Sequence, residues 1–296
     1  MTKKNQAATP SANAGDIETP RLGVMKTYKL FIAGAFPRSE SGRSFEIYDA
    51  SGHFVANAAH ASRKDLRDAV LAARGALAKW SSATSYNRGQ ILYRFAEMLD
   101  ARRQEIEELL STSYADAPRT DFDACVDRVI WYAGVCDKLT QLLSSVNPVA
   151  GPFLNLSAPT PVGVTFSAPG TTDPLLELLD ALLAPLAAGA TTVLVAPEAS
   201  SALASTLAEA LAVSDLPGGV VNILTGHADE LLPVASSHED IDLLDLSGVR
   251  PDLLAASRNA AAESLKRVAR HDQTTPALAR LRSFTETRTT WHSIGV

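Results

Sequence analysis

PVGVTFSAP (161–169), DPLLELLDALLAPLAAG (173–189), TTVLVAP (191–197), SSALASTLAEALAVSD (200–215), VVNILTG (220–226) and IDLLDLSG (241–248) decide the fold. The short apolar runs read as strands buried on both faces. The two longer runs between the first three read as helices, the first stopped by Gly189. Strands separated by helices of this length are joined by parallel, right-handed crossovers, so the segment predicts a doubly wound parallel sheet. Such a sheet opens its ligand crevice at the carboxyl ends of its strands. The residues to question are therefore Ala168 to Thr172, Val195 to Glu198, Thr225 to Asp229 and Ser247 to Arg250.

On the amino-terminal side, YKLFIAGAF (28–36) and RSFEIYDA (43–50) predict a hairpin-like pair of strands, with turn chemistry at Pro37, Ser39, Ser41 and Gly42. HFVANAAHA (53–61) predicts a third strand leading to Ser62, an N-cap for RKDLRDAVLAARGALAKW (63–80). In that helix Leu66, Ala69, Val70, Ala73, Leu77 and Trp80 share a face. Two further helices are expected near 86–112 and 121–145. Residues 1–20, rich in Ala, Thr, Pro and Asn, read as a disordered leader. Beyond Val249 come an Ala-rich basic helix, a polar turn near Gln273 to Pro276, and a Thr-rich terminal strand.

Charge and composition exclude several functions. The formal net charge is −6, and no Lys or Arg stands between Lys138 and Arg250, while twelve acids do. A surface built from that stretch repels phosphate over about a Debye length, roughly 8 to 10 Å, so nucleic acid is not an expected partner. No window resembles a membrane span or a signal core, which makes a cytoplasmic protein the expectation. Two cysteines, Cys125 and Cys136, exclude a disulfide framework and read as small buried apolar residues. The six histidines show no metal-ligand spacing, so no metal site is expected.

Taken in order, YKLFIAGAFPRSESGRSFEIYDASG, the helix ending at Trp80, GPFLNLSAPTPVGVTFSAP, LAPLAAGATTVLVAPE, DLPGGVVNILTG and HEDIDLLDLSG resemble the cofactor-binding half of aldehyde dehydrogenases, collinearly over 28–249. The closing FTETRTTWHSIG resembles the family's last strand, which the resemblance pairs with the GPFLNLSAPTPVGV hairpin of a neighbouring subunit. It implies an α/β cofactor-type domain over 21–249 with a hairpin arm at about 148–165. Residues 250–282 then bridge the place of a catalytic domain, and 283–296 form an oligomerisation strand. Phe284, Thr287, Thr289 and Trp291 are its candidate oligomerisation residues.

The resemblance also implies what is altered. The family's cysteine nucleophile and glutamate base belong to the absent domain, so no catalytic residue is assigned. In place of Pro-Trp-Asn, whose asparagine donates to the oxyanion, stand Pro169, Gly170, Thr171, Thr172 and Asp173. Val195 and Ala196 replace a ribose- and phosphate-reaching Lys-Pro, while Glu198 matches the ribose-contacting glutamate. After Gly226, Asp229 and Glu230 stand where a pyrophosphate should approach; Ser247 and Gly248 keep the family's next turn. Glu198, Gly226, Ser247 and Gly248 are thus a degenerate cofactor set, with no tight cofactor expected, NAD weak and NADP weaker. The resulting expectation is a pseudoenzyme assembling with a full-length aldehyde dehydrogenase subunit or with itself. The alternatives are an NAD(P)-dependent oxidoreductase that works only with a partner's catalytic domain, and a weak dinucleotide sensor.

Overall fold

The structure, a computed structural model, describes residues 26–114 and 120–295; the leader expected at 1–20 lies outside them. Strand β1 (Thr27–Tyr28) runs parallel to β3 (Phe54–Ala59), and β2 (Ser44–Tyr48) pairs with β3 as an antiparallel hairpin. The expected pairing of 28–36 with 43–50 does not form. Instead Phe31 bridges Ile223 of the main sheet, exchanging both backbone hydrogen bonds with it at 2.9 and 2.7 Å.

Helix α1 (Arg63–Ser82) begins at the Ser62 cap. The Ser62 hydroxyl accepts from Asp65 N, and the Asp65 carboxylate accepts from Ser62 N at 2.8 Å, a reciprocal capping box. Leu66, Ala69, Val70 and Ala73 pack on the sheet, whereas Trp80 turns away from it and donates from Nε1 to Leu186 O. The helix expected near 86–112 is broken into α2 (Ser85–Asp100) and α3 (Arg103–Ser113). At the break Arg102 leaves helical geometry (ψ 15°) and donates to Met98 O, and the change of direction lets Ile106 and Leu110 reach the core. Next come α4 (Phe122–Val135), a 3-10 turn at Cys136–Lys138, and α5 (Leu139–Leu143).

After β4 (Ser145–Asn147) and β5 (Phe153–Pro161), the chain alternates. The elements are β6 (Val164–Ser167), α6 (Pro174–Ala188), β7 (Thr191–Ala196), α7 (Ser201–Ala212), β8 (Val221–Thr225), α8 (Ala228–Ser237), β9 (Leu243–Asp245), α9 (Pro251–Glu263) and β10 (Arg267–Ala269). The five strands form one parallel sheet in the order β10-β9-β6-β7-β8. The doubly wound sheet expected from the sequence is therefore present. It gains β10 at its edge, from residues that read as helix in the sequence. Within β7, Val193 and Val195 face α1, α8 and α9, while Leu194 and Ala196 face α6 and α7. That alternation, with every residue buried, is why the strand shows no polar periodicity.

Helix α6 is buried along nearly its whole length because α2 and α4 cover the side away from the sheet. Its ends follow sequence rules: Asp173 caps it, Pro174 opens it, and Gly189 closes it at φ 89°. Finally α10 (Ala277–Ser283) and β11 (Thr285–Ser293) return along the molecule, and β11 joins β5 and β4 in a three-stranded arm of order β11-β5-β4. No helix among the described residues is long and apolar enough to cross a membrane.

Candidate functional site

Strand β6 is where the sheet changes direction, with β7 and β8 laid to one side and β9 and β10 to the other. The carboxyl ends of β6 and β9 border a cavity of about 640 Å³, lined by Pro169, Gly170, Thr172, Glu177, Asp245, Ser247, Arg270, His271 and Arg280 among others. Its floor is backbone against backbone: Gly248 N donates to Ala168 O at 2.8 Å, and a Cβ on Gly248 would lie 2.1 Å from Pro169 O. Only glycine permits that approach.

Polar groups in this crevice are largely consumed by the fold. Asp173 is buried; its carboxylate accepts from Leu176 N as the cap of α6, and from Thr120 N and Oγ1 at 2.8 and 2.5 Å. Ser247 Oγ donates to Asp245 and accepts from His271 N, and the His271 ring stands 3.4 Å from Asp245 and 3.0 Å from Ser283 Oγ. Glu177 accepts from Asp173 N and Gln273; burial nevertheless pushes its carboxyl up from the usual range.

A second cluster sits at the ends of β7 and β8. Glu198 Oε1 lies 2.6 Å from Nδ1 of His227, and His60 Nε2 lies 3.3 Å from Oε2 of Glu230. The two imidazole rings meet edge to face at 4.7 Å. Gly226, at φ 133°, makes the meeting possible, because a Cβ there would press within 3.3 Å of the His60 ring and 3.2 Å of Ala61 N. Burial opposes ionisation of Glu230, but the hydrogen bond from His60 and the nearby charges of His60, Arg43 and His227 hold its carboxyl below the usual range.

Of the cofactor set, the structure thus brings Glu198 and Gly226 together at one end of the sheet edge, and Ser247 and Gly248 at the other. The stretch lacking Lys and Arg does not become an uncompensated acidic surface, since distant segments supply cations. Arg250 reaches Asp229 at 3.1 Å, Arg43 reaches Glu230 at 3.6 Å, and Arg270 and Arg280 line the cavity. No local pattern announces these arginines, nor the pairing of His60 with His227 across the chain. Val195 and Ala196 are wholly buried in β7, so their side chains do not reach the crevice.

Both cysteines are interior. Cys125, on α4, and Cys136, just beyond it, are 0% and 1% exposed, and burial pushes each thiol up to about 12, with Asp173 and Asp180 adding to the effect at Cys125.

In the arm, β11 pairs antiparallel with β5 from Thr285 opposite Pro161 to Ser293 opposite Phe153. The partner strand lies in the segment where the resemblance put it, here within the same chain. Phe284 requires correction as an oligomerisation residue. It caps α10, its carbonyl accepts from Val162 N, and its ring is fully buried in this chain's own core. Thr287, Thr289 and Trp291 are exposed, with Thr289 Oγ1 2.8 Å from Ser157 Oγ and the Trp291 ring 5.8 Å from that of Phe153.

Comparison with known proteins accounts for this architecture. The model of the aldehyde dehydrogenase family matches residues 36–270, taking in α9 and β10 as well as the stretch before them. The chain is 28% identical over 267 residues to cytosolic aldehyde dehydrogenase 1 of Elephantulus edwardii, covering 87% of this chain and 53% of that protein. It is 30% identical over 260 residues to the human mitochondrial 10-formyltetrahydrofolate dehydrogenase, covering 85% of this chain and 28% of that one. Among solved structures, the NAD+ complex of a Bacillus cereus aldehyde dehydrogenase superposes with a TM-score of 0.73 at 27% identity, over 83% of this chain and 50% of that chain. The chain therefore spans about half the length of the aldehyde dehydrogenases it matches. With the doubly wound sheet, its crevice and a family match over most of its length, this chain belongs to the aldehyde dehydrogenase family.

Proposed function

We propose that this chain is a non-catalytic aldehyde dehydrogenase-like unit that serves assembly, joining a full-length aldehyde dehydrogenase subunit or a second copy of itself through the β4–β5–β11 arm. The carrying observation is the state of its thiols. Both cysteines of the sequence are buried and held protonated by their surroundings, which is the opposite of what a thiolate nucleophile needs.

The arm supports the assembly half of the reading. Val146, Leu154 and Leu156 share one face of its sheet, Phe153 and Trp291 share the other, and all five are exposed. Apolar groups on both faces of a thin ribbon are a hazard unless another surface covers them.

NAD binding is read as weak. A pyrophosphate approaching the amino end of α8 meets Asp229 and Glu230, and must compete with them for Arg250 and Arg43. The described residues at that helix end do not fit the group. A second reading, a dinucleotide sensor, is favoured by Arg270, His271 and Arg280 in the cavity, which offer an anion a route not visible in the strand sequences.

The assembly reading is tested by solution mass of the purified chain, alone and mixed with a full-length aldehyde dehydrogenase, before and after deletion of residues 285–293. Loss of association on deletion is expected. An unchanged mass and unchanged partner binding contradict the role given to the arm.

A further inference from the structure

We propose that His60, His227 and Glu230 form a binding site for a divalent transition ion of the zinc class, at the carboxyl end of β8, with Glu198 orienting His227. This goes beyond the assembly reading and does not depend on it.

The donors converge from three parts of the chain. His60 closes β3 and is only 8% exposed. Its backbone is pinned on both sides: its own N donates to Arg43 O, the next residue's N donates to Thr225 O, and Thr225 Oγ1 donates to Ala59 O at 2.6 Å. His227 and Glu230 are three residues apart at the start of α8, a spacing that sets both side chains on one face of the first turn. One ligand atom from each of the three residues lies within 4.8 Å of the other two.

A tetrahedral zinc ion bonds nitrogen and oxygen at about 2.0 to 2.2 Å, which places its ligand atoms roughly 3.3 Å apart. His60 Nε2 and Glu230 Oε2 already stand at 3.3 Å, so the ion requires only His227 to close in. Glu198, 2.6 Å from Nδ1 of His227, supplies the carboxylate that fixes the ring of a metal-binding histidine.

Two imidazoles and a carboxylate select a borderline ion such as Zn²⁺ or Co²⁺ over Mg²⁺ or Ca²⁺, which take oxygen ligands. Phe45 packs near both rings, at 6.1 and 6.4 Å between centroids, and shields one side of the cluster. The half-exposed Glu230 and His227 leave the other side open to solvent, so the ion can enter and leave without unfolding. Arg43, 3.6 Å from Glu230, is the cation that the metal displaces or shares.

The test uses the tag-free full chain, stripped with a chelator and titrated with Zn²⁺ by calorimetry and with Co²⁺ by visible absorption. One ion per chain is expected for each metal, with no heat from Mg²⁺. His227→Gln and Glu230→Gln, at partly exposed positions, are expected to keep the fold and to weaken Zn²⁺ binding at least about thirtyfold. Glu198→Gln is expected to weaken it roughly tenfold, as outer-shell changes do. His53→Gln, at an exposed histidine outside the cluster, leaves binding unchanged. Absence of one-to-one binding, equal binding of Mg²⁺, or affinities unaltered by both His227→Gln and Glu230→Gln would overturn the assignment.

Discussion

Arg280 and Asp180 meet in the interior, Nε 3.5 Å from Oδ2, with side chains only 6% and 5% exposed. Tyr132 Oη also donates to Asp180 at 3.0 Å, and Arg128 lies 3.5 Å away, so one carboxylate on α6 ties together α4 and α10. Burial raises the Asp180 carboxyl above the usual range, with Arg280 and then Arg128 opposing the rise. The segment leading into the terminal strand is thereby fastened to the family fold by charge as well as by packing.

Arg280→Leu leaves the buried Asp180 with Arg128, on the more exposed side, as its remaining cation. The expected cost is about 3 kcal/mol near neutral pH. The sign of its pH dependence follows from the raised carboxyl: the stability that Asp180 contributes is present below its unfolded value and is lost as pH rises through the folded one. Removing Arg280 pushes that folded value higher still, so the penalty should shrink as the solution is acidified toward about pH 4, near the ordinary carboxylate range. Urea unfolding of both proteins at the two pH values measures it; a penalty that grows on acidification contradicts the ion pair.

Two aromatic residues at the carboxyl end stand in opposite surroundings, Phe284 buried and Trp291 exposed. Phe284→Ala removes a fully buried ring and is expected to destabilise the chain by about 3 to 5 kcal/mol. Trp291 is 61% exposed, so Trp291→Ala should leave the unfolding midpoint nearly unchanged while reducing association. Equal effects on stability from both changes would argue against an outward role for Trp291.

Those two residues also show how far the sequence could be read. Alternation across 284–291 marks a ribbon, because strand period is a local property, while its partner within Gly151 to Thr165 comes from the family resemblance. The same alternation could not show that Phe284 caps α10 and turns inward. Likewise the runs of β6, β7 and β8 and the caps at Ser62 and Gly189 were legible, whereas β10 read as helix because Arg267 to Ala269 becomes a strand only by pairing with β9. At the site, Glu198 and Gly226 were legible through the resemblance. His60 was not, since 167 residues of chain separate it from His227 and only the sheet closes that distance.

Dinucleotide binding should be weak, with a dissociation constant on the order of millimolar for NAD and weaker for NADP. Val195→Lys, which the resemblance alone would suggest as a repair, is expected to destabilise instead. The side chain at 195 is wholly buried, so an ammonium there loses its hydration. Calorimetric titration and thermal unfolding check the two statements; micromolar NADP binding contradicts the first, and a stable variant with improved NAD binding contradicts the second.

Neither thiol should react readily. With burial pushing each thiol up to about 12, the thiolate is scarcely populated at pH 8, and burial blocks access as well. A disulfide reagent is expected to modify neither Cys125 nor Cys136 in the folded chain and both after denaturation. Rapid labelling of one cysteine in the native protein would contradict this.

The proposed non-catalytic role predicts that this chain does not itself oxidise aldehydes. Its direct measurement is NADH formation by the purified chain with simple aldehydes and saturating NAD, followed by absorbance, beside the Cys125→Ala and Cys136→Ala variants. No turnover above the reagent blank is predicted for any of the three proteins. Aldehyde-dependent NADH formation that disappears in either variant would show a working thiol nucleophile and contradict the account.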